Sequence, residues 1–150
     1  MHEKEEFVVI GLFALVLASL FTGAAFYITL VEQPARLALE DRSLLAEWKP
    51  SYKRGFNIQG SLAATTAVIG VIAYVQAGNW LSLVGALAIF ANWPYTLIFL
   101  IPTNNKLLAI PLESAGPETR RMIEAWGRGH LVRGCLGAMA VVAFLLAALS

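Results

Sequence analysis

The chain has 150 residues, 58% of them hydrophobic and 14% charged, and its net charge is +1. Soluble domains carry about 25% charged residues, and a fold of this length has too little interior to hide so much apolar surface, so the composition excludes a soluble globular domain and fits lipid as the solvent. The near-neutral balance gives no basic field for nucleic acid, and the single cysteine, Cys135, excludes an intrachain disulfide or a Cys-x-x-Cys site.

The first residues, Met1-His2-Glu3-Lys4-Glu5-Glu6, lack the positive n-region of a signal peptide, and the apolar run behind them is too long for an h-region. The reading is a retained membrane helix. Span one, Phe7–Val31, is uncharged throughout, and Thr22, Thr29 and Gln33 share a narrow arc of it or its extension. A polar connection of roughly 24 residues follows. Within it, Leu37, Leu44, Leu45 and Trp48 fall at helical spacings, which predicts a short amphipathic helix over Arg36–Lys49, with Pro34 and Pro50 as breakpoints.

Span two is about Phe56–Ala77. Asn57, Ser61 and Thr65 recur at i, i+4, i+8 and predict one inward polar stripe, with Gly60 and Ala64 as a small-xxx-small pair beside it. Gly78 and Asn79 alone join it to span three, Trp80–Ile101, so these two helices pair antiparallel. Asn92-Trp93-Pro94-Tyr95 lies near the middle of span three. Pro94 leaves the Phe90 carbonyl without its usual donor and predicts a kink. After a second long polar connection, Gly116-Pro117-Glu118 reads as a helix start, with Met122, Ile123 and Trp126 on one face. Span four is about His130–Leu149, and Cys135 within it reads as a small packing residue. No internal repeat is visible.

Each span reaches the ~20 apolar residues that cross a hydrocarbon core, and lipid admits only helices or closed barrels. The expected fold is therefore all-α: a single domain over residues 1–150, an antiparallel four-transmembrane-helix bundle with two long loops carrying short amphipathic helices. The loops hold Arg36, Arg42, Lys49, Lys53 and Arg54, then Lys106, Arg120, Arg121 and Arg128, with Arg133 just beyond; the opposite side has only Lys4. The positive-inside rule puts both loops in the cytoplasm and both termini outside, in a cell membrane such as a bacterial inner membrane.

Polar residues at membrane depth glue helices together or line a pocket. On the second reading Asn57, Asn92 and Tyr95 contact a ligand. Trp126, His130, Arg133 and Gly137 recur at i, i+4, i+7, i+11 and share one face if the helix runs through Gly127 and Gly129. Asn104, Asn105 and Lys106 lie just past span three, and Glu32 just past span one, on the same side. One reading of this convergence is an interfacial network in which Glu32 pairs with Arg133 or Arg36. The other makes His130 a general base, with Arg133 and the amides stabilising developing negative charge. Two histidines, predicted on opposite sides of the membrane, do not make a metal or haem ligand set, so no metal or other cofactor is expected. No phosphate loop, dinucleotide fingerprint or nucleophile elbow is present.

The chain resembles the anthrone oxygenase-like family of small four-helix membrane proteins, most of whose bacterial members have no known function. The resemblance rests on Glu32-Gln33-Pro34-Ala35-Arg36, on Trp48, Tyr52, Arg54 and Gly55, on Pro102-Thr103-Asn104-Asn105-Lys106-Leu107 and on Trp126-x3-His130-x2-Arg133. It implies a four-helix bundle and, as in the characterised fungal branch, cofactor-free oxidation of anthrones to anthraquinones. His130 would be the base, with Asn104, Asn105 and Arg133 steadying the anion. The chain has Gln33 where some relatives have histidine, which sets aside any histidine-dependent metal role at that position.

The expected function is thus a small membrane oxygenase acting on a lipophilic, anthrone- or quinone-like molecule that arrives from the bilayer. Glu32, Asn57, Asn92, Tyr95 and Trp126 would touch that substrate. The alternative is a non-catalytic binding or accessory protein that holds a lipid or packs against a larger membrane complex. A transporter fits less well, because four short spans leave little room for alternating access unless the chain forms a homo-oligomer.

Overall fold

Apolar runs longer than 20 residues leave the backbone no partner but itself, and the computed structural model is helical almost throughout. It describes residues 2–150, with side chains from Val9 onward. The readings of Met1–Glu6, Lys4 and His2 fall outside the described side chains. Helix α1 (His2–Tyr27) passes through a π-helical turn (Ile28–Glu32) into α2 (Gln33–Leu37), and the chain reverses into α3 (Asp41–Ala77). The third stave of the bundle is α4 (Trp80–Phe90), α5 (Asn92–Tyr95), a second π-helical turn (Thr96–Leu100) and α6 (Ile101–Ala109). A short 3₁₀ turn (Leu112–Ser114) leads into α7 (Pro117–Leu149), the fourth stave. Four helices, Val9–Leu37, Asp41–Ala77, Trp80–Ala109 and Pro117–Leu149, are long and apolar enough to cross a membrane. The protein is a multi-pass, all-α, antiparallel four-helix bundle.

In the bundle α1 packs on α3 and α7, and α4 packs on the same two helices. Small residues set the spacing. Ala14, Ala18 and Ala25 of α1 meet Ala63 and Ala67 of α3, Ala86 of α4 and Ala140 of α7 around Phe21, Ile89 and Phe144. Phe144 seats against two glycines: a Cβ on Gly70 would lie 2.7 Å from its ring, and one on Gly85 2.8 Å. Large side chains such as Val75, Phe13 and Leu87 point outward to lipid. Gly78 closes α3 in the left-handed conformation, at φ 67°, with its N–H on the Tyr74 carbonyl.

This packing corrects one expectation. Asn57, Ser61 and Thr65 are exposed, and the inward face of α3 is Gln59, Ala63, Thr66, Ala67 and Gly70. Two residues of offset turn a side chain about 200° round a helix. Close helix contact selects the small residues for the inside, and the polar stripe follows them outward. Cys135 is likewise exposed rather than packed inside.

The connections also differ from expectation. Pro34 breaks nothing: in the π-helical turn before it, the Gln33 N–H reaches back to the Ile28 carbonyl. Pro50 lies inside α3, so Arg36–Lys49 is not a separate helix bracketed by prolines. The reversal falls at Ala38–Glu40, and the fully buried Leu44, Leu45 and Trp48 tie the start of α3 into the bundle. The second π-helical turn repeats the first, with the Ile101 N–H on the Thr96 carbonyl just before Pro102. The disruption expected from Pro94 falls at Ala91, where α4 ends. Pro117 starts α7 as expected, with the Gly116 N–H donating to Thr119 Oγ1 at 3.4 Å.

Two cations lock the connected end. Arg120 of α7 donates to the carbonyls of Leu37 and Leu39 (2.7 and 2.5 Å) and pairs with Asp41 at 2.6 Å. Lys49 of α3 donates to the carbonyls of Leu108 and Ile110 (3.0 and 2.6 Å). Each helical hairpin thus caps the open carbonyls of the other.

Candidate functional site

Helix α7 runs unbroken through Gly127 and Gly129, so Trp126, His130, Arg133 and Gly137 are all buried on one face. Gly127 is required by close approach: a Cβ there would sit 2.5 Å from Gln33 Nε2. That nitrogen donates to the Ile123 carbonyl at 2.9 Å and fixes α2 against α7.

His130, Arg133 and Trp126 face a cavity of about 20 Å³, room for about one water. Asn104 closes it from α6, Tyr52 and Gln59 from α3, Thr96 from the second π-helical turn, and Arg36 and Ser51 from the connected end. Its polar wall is under-partnered. Both amide atoms of Gln59, Oδ1 of Asn104, Oγ1 of Thr96, Nε1 of Trp126 and Nε of Arg133 are buried without a hydrogen-bond partner in the protein. Buried polar groups need partners, and these converge on the one space where a water or a polar ligand atom can meet them.

The two arginines differ in charge balance. Arg36 is paired with Glu32 and with Glu47 (3.0 Å) and donates to Ser51 Oγ at 3.0 Å. Ser51 in turn donates to Glu32. Among the described residues no carboxylate pairs with Arg133, which is 7% exposed and lies 5.5 Å from the centre of the Phe21 ring. Arg133 therefore faces the cavity with its guanidinium in no ion pair, a setting for an oxyanion.

His130 is held by hydrogen bonding and stacking. Its Nδ1 lies 3.3 Å from Thr29 Oγ1, and the Thr29 hydroxyl donates to the Ala25 carbonyl at 3.0 Å. Since that hydroxyl has one proton, it accepts from Nδ1–H, and the lone pair rests on Nε2. The imidazole packs on Trp126 at 4.9 Å, and Trp126 meets Trp48 edge-on at 5.6 Å. An imidazole fixed this way, in its neutral form, can take a proton from a carbon acid while the unpaired Arg133 guanidinium stabilises the charge left behind.

Of the residues expected at the site, His130, Arg133, Asn104 and Trp126 come together. Asn105 does not: it is exposed, one residue round α6 from Asn104. Asn57 is exposed on the outer face of α3. Glu32 serves Arg36 and Ser51 and borders a separate open groove, not the cavity. Tyr95 donates to the Gly129 carbonyl at 2.9 Å and supports α7 from outside the cavity. Asn92 faces a neighbouring crevice with an unpartnered Oδ1, its Nδ2 being held by the Ile89 carbonyl at 3.1 Å. Among the described residues, no three His, Cys, Asp or Glu side chains gather as a metal site.

Gln59, Thr96 and Ser51 line the cavity without standing among the residues expected there, and Thr29, expected only as one of an arc, orients His130. Gln59 had a signal, since it shares its face with Ala63, Ala67 and Gly70 at i, i+4, i+8, i+11. Tyr52 entered only through the family motif.

The family model described as anthrone oxygenase matches residues 48–143. That range holds every cavity residue named here except Arg36, and it leaves Thr29 outside. Comparison with curated proteins and with solved structures gives no match.

Proposed function

Since the chain belongs to the anthrone oxygenase family, we propose that it is a membrane oxygenase that converts a lipophilic anthrone-like substrate to its quinone without a cofactor. The observation that carries this reading is the buried pair of His130, oriented by Thr29, and Arg133, which pairs with no carboxylate among the described residues. His130 Nε2 removes a proton from the acidic methylene next to the aromatic rings. The enolate oxygen lies against Arg133, with the amides of Gln59 and Asn104 beside it. The carbanion passes one electron to dioxygen, the resulting radical and superoxide join through a C–O bond, and His130 returns its proton to the peroxide. His130 then takes the second methylene proton as the O–O bond breaks, and the departing hydroxide receives it as water. One CH2 and one O2 become one C=O and one H2O, with no electron or proton left over.

The cavity holds only a water-sized molecule. Tyr52 and Phe56, packed together at 5.8 Å, border it, and an aromatic ring arriving from the bilayer requires them to swing aside. The loop end carries the exposed cations Lys53, Arg54, Lys106, Arg121 and Arg128, which supports a cytoplasmic placement of that end.

The direct test is oxygen uptake by purified protein in lipid discs supplied with an anthrone. Wild type is expected to consume one O2 per quinone formed. His130→Ala is expected to lower the rate about 100-fold or more, with helix content unchanged. Full activity in that variant rules the mechanism out.

A further inference from the structure

Next to the His130 cavity, on the side away from the loops, lies a second and smaller space of about 10 Å³. Its wall comes from Gly60 and Ala63 on α3 and from Asn92, Trp93 and Leu97 on the third stave, and is apolar there except for the buried Asn92 amide, whose Nδ2 is held by the Ile89 carbonyl and whose Oδ1 is unpartnered. It shares Phe56, Thr96 and Arg133 with the first cavity. Leu97 is 51% exposed on the bundle surface, so this crevice borders the lipid. A space this small suits one small molecule. Apolar walls and a lipid border suit a molecule that dissolves better in hydrocarbon than in water. The Arg133 guanidinium and the unpartnered Thr96 hydroxyl, on the wall shared by both spaces, suit a molecule that becomes an anion there.

Dioxygen has all three properties. We propose that the crevice between Gly60, Ala63, Trp93 and Leu97 is the dioxygen site of this protein. The inference rests on the function proposed above. Dioxygen held here accepts one electron from the substrate carbanion in the adjoining cavity and becomes superoxide facing Arg133. The C–O bond then forms across the shared wall, and the peroxide takes its proton from the imidazolium of His130. The unpartnered Thr96 hydroxyl is free to donate to the superoxide.

Gly60→Ala tests this gently. The added Cβ lies 3.7 Å from Trp93 Cζ2, an ordinary contact, so the helix accepts it while the methyl occupies the crevice. Leu97→Phe narrows the same space from the third stave, at a position already half exposed and outside the packed core. For each variant the KM for O2 is expected to rise about fivefold or more, while kcat at saturating oxygen and the KM for the anthrone stay within about twofold. A xenon-pressurised structure reads the space without turnover: xenon is expected between Gly60 and Trp93 in wild type and absent in Gly60→Ala. If wild type turns over and neither variant changes the KM for O2, the crevice is not the oxygen site and the proposed function stands. Xenon missing from the wild-type crevice overturns the inference in the same way. If wild type consumes no oxygen at any pressure, the proposed function falls and this inference with it.

Discussion

Arg133 is the residue on which structure and chemistry pull in opposite directions. An arginine at membrane depth without a carboxylate is costly, and its one aromatic contact, Phe21, returns only about 0.5–2 kcal/mol. A methionine has similar reach and no charge. Arg133→Met is therefore expected to leave the thermal unfolding midpoint unchanged or raised, while turnover falls about 10²–10³-fold with the loss of oxyanion stabilisation. A lowered midpoint with turnover intact would show a purely structural arginine. His130, Arg133 and Trp126 were legible in the sequence because one helix carries all three and its periodicity alone sets their common face. Gln59 was legible only through the small residues that share its face; Thr29 and Thr96 were not, because their roles depend on how neighbouring helices rotate. Asn105 was misplaced for the same reason: Asn104 and Asn105 are chemically alike, and only the rotation of α6 chooses between them.

At the scale of elements, the two π-helical turns carry information that the residue pattern hides. Each precedes a proline, Pro34 or Pro102, and each presents a threonine to the site, Thr29 or Thr96. An inserted residue turns the helix out of register, which is how a π-bulge redirects side chains at functional sites. No repeat is visible in the sequence, yet both hairpins use this device, and each caps the other through Arg120 or Lys49. The contact between α2 and α7 is equally specific. Gly127→Ala forces its methyl onto the Gln33 amide and is expected to destabilise the protein by about 1–3 kcal/mol. Adding Gln33→Ala is expected to recover most of that loss, as a coupling energy in a double-mutant cycle read by chemical unfolding. Strictly additive losses would mean that the two residues do not meet. The polar stripe of α3 shows the limit of reading elements from sequence: the inner face of this helix is marked by its small residues, not by its hydrophilic ones, so Asn57, Ser61 and Thr65 lie outside.

The whole molecule was the most legible scale. Apolar length alone predicts four crossings, and the bundle has four helices long and apolar enough to make them. The two-residue turn at Gly78-Asn79 dictates the antiparallel pairing of α3 and α4. Orientation is harder to read from charge, because Arg36, Lys49, Arg120 and Arg133 have internal partners or roles and are not free to respond to the membrane. The exposed cations that remain still lie at the loop end. In a Cys135→Ser background, a membrane-impermeant thiol reagent applied to intact cells is expected to label Trp80→Cys and to spare Ser43→Cys and Ser114→Cys. The opposite pattern would invert the bundle.

The central claim is that substrate reacts between His130 and Arg133, and an experimental structure with bound anthraquinone tests it most directly. A quinone oxygen is expected about 2.7–3.1 Å from the Arg133 guanidinium, with the newly oxidised carbon facing His130 Nε2 and Tyr52 and Phe56 displaced. Quinone bound elsewhere, with the His130 cavity still closed, would contradict the account.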